Sequence, residues 1–144
     1  MVPLKQLNDY FILSAISTDL KHESNRLKER LFEYQKTILI IYEKLDDNPL
    51  KINKKNLENY VDGLNKIITF LRNNKDKLEN EFVNEQSKFS VDKLLKGVRK
   101  FRIPLATAID CFEKNSDCNK FEEYNKAIEI MEDEKFKEYF LPEN

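Results

Sequence analysis

Nonpolar side chains recur at alternating intervals of three and four residues in the first third of the chain. The series is Leu13, Leu20, Leu27, Leu31, Tyr34, Ile38, Ile41 and Leu45, with Ser17 and Ser24 on the same stripe. This spacing favours one long amphipathic helix, beginning near residue 4 and continuous or gently bent through residues 17–24. The alternative is a helix that kinks or restarts near residues 17–19, with one of these residues as its N-cap. Such a helix buries its nonpolar face against other helices, so the pattern predicts a helical bundle.

A second helix is predicted to return along the first. Pro49 cannot continue a helix and Asn48 is biased away from helical geometry before it, so the chain turns there. Asn53 is the expected N-cap of the second helix, whose nonpolar stripe runs from Leu57 to Leu71. This helix either continues to about residue 86 or breaks at the paired asparagines, residues 73–74.

Shorter helices are predicted in the last third of the chain. Ser90 is the expected N-cap of a third helix, which Pro104 ends or kinks. Further nonpolar stripes follow, and a short piece around Phe136, Tyr139 and Phe140 comes last. The prediction is therefore an all-α fold, a four- or five-helix antiparallel bundle built on a long helical hairpin (residues 4–46 and 53–86). Residues 1–144 form one domain, with the hairpin within residues 4–86 and the shorter helices within residues 90–140.

Charge is balanced overall but divided unevenly. The formal net charge is −1, and residues 110–144 hold eleven acidic and five basic side chains, a net −6, so residues 1–109 carry +5. A basic body can attract an acidic partner or the acidic end of its own chain. Pairing within the chain is the favoured reading.

The cellular compartment is predicted from the lack of a membrane span and of a signal-peptide pattern in the sequence. No nonpolar run approaches the roughly 20 residues of a membrane span, and the first residues lack the pattern of a signal peptide. We therefore expect a cytoplasmic protein. Cys111 and Cys118 lie close enough in sequence for a disulfide, but a reducing compartment favours two free thiols.

Catalytic and metal chemistry find little support. His22, the single histidine, precedes Glu23 on the first helix and so resembles the phospho-accepting helix of sensor kinases, but a solvated surface histidine is the favoured reading. Asp19 and His22 have the spacing of a helical ligand pair, whereas di-iron bundles need two histidines. A serine triad would have to use His22 as its base, and two glycines supply no phosphate-binding loop. We predict no cofactor and no metal site, and an enzyme ranks third among the functions considered.

The strongest charge feature lies between Lys88 and Arg102, where six cations accompany one acid, Asp92. On a helix, four of the cations share the face opposite Val91, Leu94 and Val98: they are Lys93, Lys96, Arg99 and Lys100. This stripe is the predicted contact for a partner or an anion; the alternatives are pairing with the acidic C-terminal segment of the same chain and plain solvated charge. Phosphates of nucleic acid are one possible ligand, with Phe89 and Phe101 available to stack on bases.

Two functions are preferred over an enzyme. The first is a non-enzymatic protein–protein interaction module or small subunit of an assembly, binding a protein partner or a second copy through the basic stripe or through a nonpolar groove along the hairpin. The second is a nucleic-acid-associated accessory subunit using the same four cations. A terminal aromatic cluster at residues 136–140, if exposed, would be another docking patch.

Overall fold

The computed structural model of the chain describes residues 27–81, 90–114 and 118–140. Every regular element in these ranges is a helix, which confirms the all-α prediction. The elements are α1 (Leu27–Asp47), a short 3-10 helix (Pro49–Lys51), α2 (Lys54–Asn73), α3 (Lys75–Glu81), α4 (Val91–Glu113), α5 (Lys120–Glu132) and α6 (Glu134–Lys137). The expectations for the start of the first helix, for His22 and Asp19, and for Phe89 lie outside the described residues.

Helix α1 buries the stripe that its sequence spacing predicts. Ile38 is fully buried, and Leu27 packs partly buried against the same core. The stripe also includes Leu31, Tyr34, Ile41 and Leu45, all at most 1% exposed. Helix α1 ends before Asn48, and Pro49 opens the 3-10 helix because its fixed φ suits a first helical turn.

The predicted helix caps are confirmed at α2 and α4. The Asn53 side chain accepts a hydrogen bond from the Asn56 amide at 2.7 Å, and the Asn56 side chain accepts one from the Asn53 amide. Ser90 Oγ accepts from the amide of Lys93. These bonds satisfy amides that have no partner inside the helix, and so fix where each helix begins.

The second helix is predicted either to continue to about residue 86 or to break at residues 73–74. In the structure α2 breaks at these asparagines. The backbone amide and the side-chain amide of Asn74 both donate to the carbonyl of Phe70. Helix α3 begins at the next residue, and its Leu78 is fully buried. The interruption therefore redirects the chain without removing its nonpolar stripe from the core.

Helix α4 runs through Pro104, so of the two predicted outcomes, an end or a kink at this residue, the end is wrong. Proline removes the hydrogen bond to the carbonyl of Lys100, and a proline in a helix interior costs about 3 kcal/mol. Phe101 and Leu105 are fully buried on either side of it. Burial of a side chain of this size stabilises by about 1.5–3 kcal/mol, so continuous packing across the proline offsets its cost.

The two cysteines form a disulfide, which corrects the prediction of free thiols. Cys111 lies in the last turn of α4 and Cys118 just before α5, with their Cα atoms 5.2 Å apart. That separation is within the range a disulfide spans. Disulfides are typical of oxidising compartments, so this bond does not support the predicted cytoplasmic location, which remains a prediction.

Among the described residues, α4 is the helix with the most extensive packing. It lies against α2 on one side and α5 on the other, whereas α1 makes smaller contacts with α2, α3 and α5. Salt bridges join Lys54 at the start of α2 to Glu113 at the end of α4, and Lys75, which follows the end of α2, to Asp92 at the start of α4, so α2 and α4 run in opposite directions. The order of helices as an antiparallel bundle built on the α1–α2 hairpin stays a prediction.

Buried nonpolar residues of these helices form one continuous core. Leu64 is fully buried and Ile68 is partly buried against it. No helix in the described ranges has both the length and the nonpolar character needed to cross a membrane.

Candidate functional site

The four predicted contact residues lie together on the outer face of α4. We call Lys93, Lys96, Arg99 and Lys100 the basic surface; all four are exposed. Their position follows from the helical register, because Val91, Leu94 and Val98 on the opposite face are fully buried. The Ser90 cap fixes that register at the N-terminus of α4.

The basic surface has no counter-charge within the described part of the chain. Asp92, the acid in this segment, is paired with Lys75 of α3 at 2.9 Å. The hydrogen bond to Asp92 and the charge of that carboxylate raise the pKa of Lys75. Within residues 27–81, 90–114 and 118–140, Lys96, Arg99 and Lys100 make no salt bridge and no side-chain hydrogen bond. Their positive charge is therefore presented to solvent.

Neighbouring groups mark the edges of this surface. Arg102 donates from Nε to Oδ1 of Asn65 on α2, so it belongs to the contact between helices. Ile103 continues the basic surface one turn further along α4, with 60% of its area exposed. Lys93 Nζ lies 5.4 Å from the centre of the Tyr139 ring, within reach of a cation–π interaction. A nonpolar residue thus bounds one end and an aromatic ring the other.

Phe101 does not serve the role that the nucleic-acid hypothesis gave it. Its side chain is fully buried in the core, so it cannot stack on a base without unfolding the helix contact. The sequence already places it in phase with Leu94 and Val98, and this core position is the one it occupies. Phe89, the other aromatic of that hypothesis, lies outside the described residues.

Sequence reasoning missed the space over the backbone of Gly97, which we call the notch. A Cβ atom at Gly97 would overlap with Cδ2 and Cε2 of Phe136, whose ring rests on the bare backbone of α4. Phe136 is 4% exposed, and Phe140 packs edge-on against it with ring centres 5.1 Å apart. The aromatic cluster predicted to be a docking patch if exposed is thus largely covered. The available signal was a glycine within an otherwise regular helical stripe.

Two cavities lie away from the basic surface. One, of about 530 Å³, opens beside the Cys111–Cys118 disulfide and is bordered by Lys120 and Phe121. The other, of about 320 Å³, lies between α1 and α2 beside Tyr34 and Phe70. The described residues lining them include no histidine and no pair of carboxylates, the groups that acid–base catalysis uses most.

Titratable side chains also lie in the core. Burial raises the pKa of Tyr124, whose hydroxyl lies inside the core. No group of three or more His, Cys, Asp or Glu side chains in the described ranges is arranged to hold a metal ion.

Comparisons with models of protein families, with curated proteins and with solved structures found no match for this chain. The basic surface is therefore interpreted from its own geometry and charge.

Proposed function

We propose that this chain is a non-enzymatic interaction module that binds an acidic segment of a protein partner through the basic surface of α4. The observation that carries the proposal is the set of three exposed cations, Lys96, Arg99 and Lys100, without a counter-charge in the described residues. Charges of one sign grouped on a surface attract ligands of opposite charge and speed their association. A carboxylate-bearing segment lying along α4 would supply the missing counter-charges.

Ile103 favours a protein partner over nucleic acid. Its exposed side chain follows the cations along the same face, and a partner with a nonpolar residue next to its acids would bury it. Nucleic acid offers phosphates but would leave Ile103 without such a contact. The burial of Phe101 also removes one of the two aromatic residues available for stacking. The accessory subunit for nucleic acid remains the second proposal, using the same four cations.

In this proposal the rest of the fold is a scaffold. A four- or five-helix antiparallel arrangement in one domain would hold α4 rigid, so that its outer face is presented in a fixed geometry. A preformed surface loses less conformational entropy on binding than a flexible one does.

Retention on immobilised polyglutamate and on immobilised single-stranded DNA tests these proposals. The test variant is Lys96→Glu with Lys100→Glu, and the matched control is Lys55→Glu with Lys77→Glu, which changes the charge equally at exposed positions on α2 and α3. We expect salt-sensitive retention on polyglutamate that the test variant loses and the control keeps.

The alternatives give different results. Retention on DNA alone, lost in the test variant, would replace the first proposal with the second. Equal loss in test and control variants would mean that overall charge, and not the basic surface, binds the probe. Absence of retention on either matrix at low salt would exclude both proposals.

A further inference from the structure

The notch over Gly97 lies at the edge of the basic surface. Lys93 precedes Gly97 by four residues and Lys100 follows it by three, so both cations lie one helical turn from the notch on the same side of α4. The notch exists because Gly97 has no side chain, and an aromatic ring fills it in the free chain. A site that accepts an aromatic ring thus lies next to cations that have no counter-charge in the described residues.

The terminal segment, residues 133–140, occupies the notch with aromatic groups but leaves the cations unpaired. Phe136 fills it, and Tyr139 lies beside Lys93. Within the described residues, no salt bridge joins Glu134 or Glu138 of this segment to the basic surface. The segment therefore fills the nonpolar half of the site, the notch, and leaves the charged half, the cations, without carboxylates.

The terminal segment contains only a short helix. Helix α6 has four residues and its nonpolar anchor is Phe136, joined to α5 through Asp133, which caps both helices. A helix this short contributes little stability of its own. Phe136 is the buried residue of this helix, and Tyr139 and Phe140 pack partly buried against the same core.

We propose that the notch over Gly97 is an aromatic subsite of the partner-binding surface, which the terminal segment occupies until a partner segment displaces it. The partner segment carries an aromatic side chain for the notch and carboxylates for Lys96 and Lys100. It binds better than the terminal segment because it satisfies both halves of the site. This inference rests on the proposed function, since it takes the basic surface to be the place of binding.

Anisotropy of a fluorescent peptide of residues 133–144 tests the notch, with the full chain as the binding protein. In the wild type the tethered segment competes at high effective concentration. Phe136→Ala removes the competing ring, so we expect the peptide to bind that variant at least about tenfold more tightly than the wild type. Adding Gly97→Ala to Phe136→Ala fills the notch and should abolish the gain. A peptide with alanine in place of Phe136 is the matched control and should not bind.

Two further results keep the test decisive. If Phe136→Ala does not fold, Phe136→Leu retains a nonpolar anchor and should show a smaller gain in the same direction. Equal binding of the two peptides, or no gain in either variant, would overturn the notch proposal.

Polyglutamate separates this inference from the proposed function. If the wild type retains polyglutamate through Lys96 and Lys100 while the peptide fails to bind the Phe136 variants, the notch proposal alone falls. If the peptide binds the Phe136 variants but polyglutamate is not retained, the notch stands as an aromatic site and the acidic partner is excluded.

Discussion

Over their described residues, Leu27–Asp47 and Val91–Glu113, helices α1 and α4 have similar nonpolar spacing, yet they hold different places in the described fold. Helix α4 packs extensively on both α2 and α5, whereas the contacts of α1 are smaller. The buried face of α4 includes the small residues Gly97 and Ala108, and the ring of Phe136 approaches closely over Gly97. The buried face of α1 includes Gln35 and Thr37 instead. Within the described residues, the two helices therefore share nonpolar spacing but differ in the size and polarity of the side chains that they bury.

The largest expected effect compares the same substitution in the two helices. Leu105 of α4 and Leu45 of α1 are 0% and 1% exposed. Leucine-to-alanine changes in cores cost about 2–5 kcal/mol, and more where the surroundings cannot collapse into the cavity. We expect Leu105→Ala to lower the free energy of unfolding by more than Leu45→Ala, because α4 is enclosed by helices on two sides.

Urea denaturation of the two variants, at equal protein concentration, measures this difference. A larger loss of unfolding free energy for Leu45→Ala would contradict the central place of α4. It would favour α1 as the central helix, as its sequence pattern predicts.

The next effect concerns the α4–α5 turn. The Cys111–Cys118 disulfide closes a short loop, and loop-closure entropy gives about 2.5 kcal/mol for a loop of this length. We expect the double variant Cys111→Ser with Cys118→Ser to lose stability by about this amount. Thermal unfolding of the oxidised wild type, the reduced wild type and the variant provides the measurement. Identical stability with and without reductant would show that the disulfide does not stabilise the α4–α5 pair.

The smallest effect concerns the salt bridge between α2 and α4. The hydrogen bond and positive charge of Lys54 lower the pKa of Glu113, and Glu113 raises the pKa of Lys54. A carboxyl whose pKa is lower in the folded state stabilises the fold above its unfolded pKa, about 4.3. That contribution is lost as the pH falls through the lower, folded pKa.

Glu113→Gln should therefore be slightly less stable than the wild type near pH 7, and the difference in Tm should shrink as the pH falls below about 4. Both groups are largely solvated, which keeps the effect small. A difference in Tm that persists unchanged at low pH would mean that the amide disturbs packing and not charge.

Local features of the fold could be predicted from the sequence because they depend on nearby residues. The Asn53 and Ser90 caps and the buried stripe of α1 follow from neighbouring side chains and helical spacing. The continuity of α4 through Pro104 could not, because it depends on packing against α2 and α5. The pairing of Gly97 with Phe136 joins residues far apart in sequence, and local spacing carries no information about it.

The residues of the candidate site could be predicted from the sequence, but the contacts around them could not. Helical projection correctly brings Lys93, Lys96, Arg99 and Lys100 to one exposed face. The pairing of Asp92 with Lys75 and the position of Tyr139 beside Lys93 depend on how α3 and the terminal segment dock. These long-range contacts decide which charges stay unpaired.

Amide chemical shifts of the ¹⁵N-labelled full chain, titrated with polyglutamate, test the central claim that the outer face of α4 is the binding surface. We predict that the largest shift changes fall on Lys96, Arg99, Lys100 and Ile103, with smaller changes in the terminal segment and none along α1. Shift changes concentrated on α1 or α2, with α4 unaffected, would contradict the account.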